Sequence, residues 1–396
     1  MNPVAFPSIW LLATIALASP FAMNVFNPAM PDVVRAFGSS ISVVQLTLTL
    51  YLAALGVSQL LSGVMADRFG RRPLMLGGMG LHLLGSVLAA LAPTIELLIL
   101  GRILQALGGG ATLVLVRTMV LDAHSRNEAG RLLGFITMAI AVAQTIAPTI
   151  GGYLNHFFDW RAIFWFSLAL NTVIAVIMLR KLTETSVELD KSAFSLRELL
   201  KKYITVLRSP VYLGYALTGA LITCAYLGFA SIMPYIFVDQ LGGTSAEYGN
   251  WFLIVSIGFF SGSLVCTRIT IRLGLDRMIR IGLVLALLAA SVLILSLLTG
   301  NIAAGLIFLP MGVLTFGRGF VQPNAQSGAV SSVSTNRGTA SGMMGFMQLM
   351  LASSVSQLMP LLLAQGIVYV FGAVIVLLVL AAVAHWVACR SSSVAR

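Results

Sequence analysis

Twelve apolar runs, each long enough to cross a hydrocarbon layer, succeed one another along these 396 residues. A helical crossing takes about 20 apolar residues. The runs lie near 8–27, 42–62, 74–92, 97–118, 131–153, 161–179, 211–238, 249–267, 278–298, 302–323, 338–360 and 367–387. In lipid every backbone N–H and C=O must be satisfied within the chain, which leaves helices or closed barrels, and runs of this length are helical. Charged residues make up 9% of the chain and apolar ones 58%, whereas soluble domains carry about 25% charged residues. A water-soluble fold is excluded. The expected fold class is an all-α membrane protein with twelve transmembrane helices.

The formal charge of +11 is an address rather than a nucleic-acid site. Of the 24 Lys and Arg residues, Arg35 and Arg161 fall in outer loops, while Arg102 and Arg318 fall inside spans, Arg318 near the inner end of its run. The others lie at inner loops, inner helix ends or the C-terminal tail. Positive residues are held on the cytoplasmic side, so both termini are expected there. Cys224, Cys266 and Cys389 are scattered without metal-ligand spacing, which indicates neither a disulfide nor a metal site. The string GxxxxGK[ST] does not occur, so no ATPase and no cofactor are expected. Residues 8–27 lack a basic leader and a small-residue cleavage site, and read as a retained helix rather than a signal peptide.

One long polar stretch, Arg180 to Pro210, divides the chain. The expected organisation is a six-helix half over 1–180, a cytoplasmic linker over 181–210, a second six-helix half over 211–390 and a tail over 391–396. Within the linker, Ser195 and Glu198 have capping-box spacing, and Leu196, Leu199, Leu200, Tyr203 and Leu207 share one helical face. Such a helix lies along a membrane surface.

Residues 63–73, between the second and third runs, read GVMADRFGRRP. Gly63, Asp67, Arg68, Gly70, Arg71 and Arg72 describe a tight basic hairpin loop. The glycines permit close backbone approach, and Asp67 is placed to accept hydrogen bonds from a helix end or an Arg. The string resembles the loop signature between helices two and three of the major facilitator superfamily. Arg272-Leu273-Gly274 repeats Arg68-Phe69-Gly70, with Ile271 where Asp67 stands. In the fourth run, Gly101-Arg102-Ile103-Leu104-Gln105-Ala106-Leu107-Gly108 resembles that family's helix-four signature. In the fifth, Ala147-Pro148-Thr149-Ile150-Gly151-Gly152 resembles the antiporter signature, with Ala147 for its first Gly. There Pro148 would kink the helix while Gly151 and Gly152 admit a close neighbour. Met23 to Pro31, Val116 to Asp122, Trp160 to Phe164 and Gly338 to Ser341 resemble the bicyclomycin/chloramphenicol-resistance type of drug:proton antiporter.

The chain departs from that type at Asn24, where many members carry a proton-binding acid; an amide does not titrate. All thirteen acids fall at span ends or loops. A carboxylate at mid-span cannot then neutralise a cationic ligand, so neutral, zwitterionic or anionic substrates are favoured. Asp32, Asp122 and His82 are the coupling candidates. Arg102 either lines a central cavity or serves as a hydrogen-bond hub to first-helix carbonyls. The remaining cavity candidates are Asn24, Asn27, Gln45, Gln105, Gln144, Gln322 and Gln348, with Tyr226, Phe229 and Met233 as apolar lining.

The resemblance implies a monomeric inner-membrane exporter of small amphipathic molecules, multidrug in range, working by alternating access with proton antiport and not an enzyme. Two other readings stand beside it. One is a dedicated exporter of a single metabolite such as a siderophore, whose anionic groups would meet Arg102. The other is a non-transporting membrane sensor or scaffold.

Overall fold

The computed structural model describes residues 7–124, 126–185, 196–300, 302–333 and 337–394. The chain packs as two units, Met1–Leu196 and Arg197–Arg396. In the first, α1 (Ile9–Phe26) runs through a 3-10 turn, Asn27–Ala29, into α2 (Met30–Phe37). It is followed by α3 (Ile41–Phe69), α4 (Arg71–Ala90), α5 (Ile95–Ala123), α6 (Arg126–Phe157) and α7 (Trp160–Lys181). The second unit holds α8 (Leu196–Leu207), α9 (Pro210–Tyr235), α10 (Ser245–Leu273), α11 (Leu275–Leu298), α12 (Ala304–Ser331), α13 (Arg337–Gln365) and α14 (Ile367–Val394). Among the described residues, twelve helices have the length and apolarity of a membrane span, α1 and α2 counting as one and α8 standing apart.

Local chemistry sets the helix starts. Ser8, Ser40, Asp159 and Ser209 each accept a backbone N–H in the first turn of α1, α3, α7 and α9. Thr244 and Glu247 close a capping box on α10. Pro28 and Pro31 remove two donors where α1 gives way to α2. The capping-box residue Ser195 lies outside the described residues. On the α8 face beyond it, Tyr203 is buried and Leu207 half-buried.

Membrane helices cannot gain from expelling water between them, so they pack where small side chains let backbones meet. Gly85 of α4 faces Gly101 of α5, and a Cβ on either would strike the other's carbonyl oxygen, at 2.5 and 2.8 Å. Gly282 of α11 and Gly317 of α12 repeat the device in the second unit. Both contacts immediately precede an arginine, Arg102 and Arg318, and so determine its depth.

Two expectations change here. The 63–73 string is almost wholly helical: α3 runs through Asp67 and Arg68 to Phe69, α4 begins at Arg71, and Gly70 alone joins them. Gly70 has φ 91° and ψ 157°, and Gly274 joins α10 to α11 with φ 81° and ψ 159°. Side chains rarely tolerate that region, so the faded repeat keeps the one residue its geometry requires. Second, α12 continues past residue 323 to Ser331, which puts Arg318 at mid-helix rather than near an inner end. Hydropathy alone ended that run at the polar residues Pro323 to Ser327, although the helix continues through them.

Candidate functional site

At the α3–α4 junction the acids that form hydrogen bonds and ion pairs are Glu184 and Asp122, while Asp67 acts on Arg71 through its charge. Asp67 and Arg68 are exposed, and the Arg68 guanidinium lies 5.3 Å from the Phe69 ring centre. The Arg71 guanidinium pairs with Asp122 at the end of α5 and donates to Thr185 Oγ1 at 3.3 Å. The Glu184 carboxylate, beyond α7, accepts the backbone N–H groups of Arg71 and Arg72 at 3.1 and 3.0 Å. It thereby occupies the N-terminus of α4, where donors are orphaned and the helix dipole favours an anion. Arg72 also donates to the Leu179 carbonyl at 3.4 Å. A Cβ on Gly70 would meet Glu184 Oε2 at 2.9 Å, whereas one on Gly63 would meet nothing within 4 Å. Close approach is thus a property of Gly70 and not of Gly63.

Arg102 is fully buried. Its Nη1 donates to the Ala22 carbonyl of α1 and to Gln105 Oε1, both at 3.0 Å. Its charge lies over Tyr51 at 4.2 Å and Phe26 at 4.9 Å, an arrangement worth about 2 kcal/mol when desolvated. Nε and Nη2 have no hydrogen-bond partner among the described residues. This geometry is that of a hub to a first-helix carbonyl. Gln105 Nε2 in turn donates to Ser86 Oγ at 2.8 Å, a reach made possible by the Gly85–Gly101 contact. Tyr51 and Ser19 share a 2.8 Å hydrogen bond.

Other first-unit candidates are placed individually. Asn24 is buried and its Nδ2 donates to the Pro20 carbonyl at 2.8 Å. Asn27 Oδ1 and both polar atoms of Gln45 are buried without a partner among the described residues, while Gln144 is half-buried on α6. Pro148, Gly151 and Gly152 are buried, and a Cβ on Gly151 would collide with the Val25 carbonyl. That glycine therefore permits α6 to lie against α1.

Each coupling candidate has partners. Asp32 accepts from Arg35 at 2.6 Å and from Asn155 Nδ2, joining α2 to α6. Asp122 is the partner of Arg71. His82 is buried among α4, α5 and α7. Its Nδ1 lies 2.8 Å from the Gln105 carbonyl and so carries the proton, and its Nε2 lies 3.4 Å from Asn171 Nδ2. The Ser167 carbonyl, 2.8 Å from that nitrogen, orients the amide as donor. The imidazole is therefore neutral with both nitrogens engaged.

In the second unit, α9, α12 and α13 bring two predicted residues, Gln322 and Gln348, together with Thr223. Thr223 Oγ1 donates to Gln322 Oε1 at 2.7 Å, and Gln322 Nε2 donates to Gln348 Oε1 at 3.2 Å. One turn away on each helix, Arg318 sits over Tyr226 at 4.2 Å and over Phe259 at 4.6 Å. Its Nε has no hydrogen-bond partner among the described residues. Phe229 and Met233 are fully buried, Phe229 against Phe308 and Phe371 at 6.1 and 6.2 Å, and they fill this unit's interior. Sequence reasoning missed Glu184 and Thr223. It also missed a cluster of Asp276, His385 and Cys389, whose only local signal is His-x-x-x-Cys on one helix.

Twelve spanning helices with arginines embedded on aromatic faces define a multi-pass membrane protein. Residues 12–357 match the model of the Major Facilitator Superfamily; the chain belongs to this family, whose members are transporters and not enzymes. It is 27% identical to multidrug resistance protein D of Escherichia coli, over 85% of this chain and 84% of that protein. It is 24% identical to a bicyclomycin resistance protein homolog of Haemophilus influenzae, over 95% of each chain. The fold is similar to that of a bacterial homologue of the human lysosomal transporter Spinster, inward-facing and unoccupied. The TM-score there is 0.76 at 15% identity, covering 97% of this chain and 96% of the other.

Proposed function

We propose that this transporter exports small amphipathic molecules from the cytoplasm across a bacterial inner membrane, by alternating access and in exchange for protons. Both termini face the cytoplasm and the monomer is the working unit. One observation carries the substrate class: each unit holds a polar cluster built from an arginine on aromatic rings and neutral amides. Arg102 with Gln105 forms one, and Arg318 with Gln322 and Gln348 forms the other. Among the described residues, neither cluster has a carboxylate as a hydrogen-bond partner. Such chemistry favours neutral, zwitterionic or anionic ligands over lipophilic cations, which need a buried counter-charge. The likeness to multidrug resistance protein D across most of both chains supports export and breadth.

For coupling, Asp122 is the strongest of the three candidates. Its protonation would release Arg71 and loosen the α3–α4 junction from α5. Asp32 is anchored by two donors and His82 is neutral within its network. The test is drug accumulation in cells expressing the protein. Neutral chloramphenicol is expected to be excluded and cationic ethidium retained. Exclusion of ethidium alone would overturn the substrate class, and exclusion of one endogenous metabolite with neither probe would favour a dedicated exporter.

A further inference from the structure

We infer that Asp276, His385 and Cys389 form a binding site for a divalent transition-metal ion, with Zn(II) the best match to the donor set. His385 and Cys389 stand one turn apart on α14, and Asp276 lies in the first turn of α11. Cys389 Sγ is 3.5 Å from His385 Nε2, which is 3.9 Å from Asp276 Oδ1. All three donor atoms fall within 4.8 Å of one another. Tetrahedral Zn(II), bonded at 2.0–2.3 Å, separates its ligands by about 3.3–3.8 Å, so the trio needs only small side-chain adjustments to close on an ion. Thiolate, imidazole and carboxylate together suit a borderline-soft ion and exclude Mg(II) or Ca(II), which require oxygen donors.

The surroundings agree with this. Tyr215 of α9 donates to Asp276 Oδ1 at 2.7 Å, orienting the carboxylate as outer-shell groups do. The His385 side chain is 4% exposed and that of Asp276 46%, so an ion has a solvent approach on the carboxylate side. A thiolate and a carboxylate neutralise a doubly charged ion, and Arg280 donates to the Asp276 carbonyl at 3.4 Å. His385 Nδ1 is buried with no hydrogen-bond partner among the described residues, so metal ligation at Nε2 would select the Nδ1–H tautomer. On binding, the Cys389 thiol gives up its proton, one proton is released per ion, and α11 becomes fastened to α14.

The experiment is a Co(II) titration of the full-length purified protein followed by displacement with Zn(II). One equivalent of Co(II) is expected, with a thiolate-to-cobalt charge-transfer band that Cys389→Ser abolishes and Cys224→Ser and Cys266→Ser leave intact. His385→Gln and Asp276→Asn are expected to raise the Kd at least about 100-fold, and Tyr215→Phe about 10-fold. Independently of any variant, Zn(II) should shield Cys389 of the wild-type protein from iodoacetamide, read by mass spectrometry. A band that survives Cys389→Ser, or unchanged alkylation of Cys389 at saturating Zn(II), would overturn the assignment.

Discussion

Replacing Gly70 by Ala should do more damage than the same change at Gly274, and the excess measures the Glu184 clamp. Both glycines occupy the same backbone region, at φ 91° and 81°, where a side chain costs about 1–3 kcal/mol. That cost is common to both variants. At Gly274 the added methyl meets nothing within 4 Å, whereas at Gly70 it falls 2.9 Å from Glu184 Oε2. The carboxylate must then shift, which lengthens the hydrogen bonds it accepts from the Arg71 and Arg72 N–H groups at 3.1 and 3.0 Å. Losing a helix N-terminal acceptor costs about 1–2 kcal/mol. Hydrogen exchange at those two amides should therefore accelerate about 5–30-fold beyond the change at the first amides of α11. Glu184→Ala should produce the same local acceleration without the strain, and Gly70→Ala added to it should accelerate those amides little further. Equal effects at Gly70 and Gly274, or exchange unmoved by Glu184→Ala, would refute the clamp.

Further consequences concern the spans. Gly151→Leu forces a side chain onto the Val25 carbonyl and should cost about 1–3 kcal/mol or more, read as loss of monodisperse protein. Gly63→Leu, in open space, should leave it intact. Asn24→Asp replaces the amide that donates to the Pro20 carbonyl with a carboxyl that can donate only when protonated. Its Tm deficit should be small at acid pH and grow as pH rises, the opposite trend arguing against that hydrogen bond. Gln322→Leu removes the link between Thr223 and Gln348. Interhelical hydrogen bonds in membranes average about 0.6 kcal/mol, so Tm should move little. The KM for a neutral polar probe should rise about fivefold, from about 1 kcal/mol of lost binding.

The spans were legible because lipid leaves the backbone few solutions, and apolar length alone then counts helices. Gly70 and Gly274 were legible as a repeat, since one residue type satisfies that backbone geometry. Which face of each helix turns inward was not. Helices that are apolar on every side carry no amphipathic stripe to orient them. Hence Phe229 and Met233 read as lining although they fill the second unit's interior, and nothing in the sequence showed that His82 bridges three helices. Glu184 escaped notice because its partners, Arg71 and Arg72, are more than one hundred residues away and engage it through backbone N–H groups, which leave no compositional trace. Asp276 and Cys389 are likewise joined only by the packing of α11 on α14.

The central claim, export driven by protons without a mid-span carboxylate, is tested most directly by chloramphenicol flux in proteoliposomes under an imposed pH gradient. Flux should follow the gradient in the wild-type protein and lose that dependence in Asp122→Asn, while downhill exchange at equal pH persists. Wild-type flux that ignores the gradient would contradict the claim, and gradient-driven flux that survives Asp122→Asn would remove Asp122 as the coupling group.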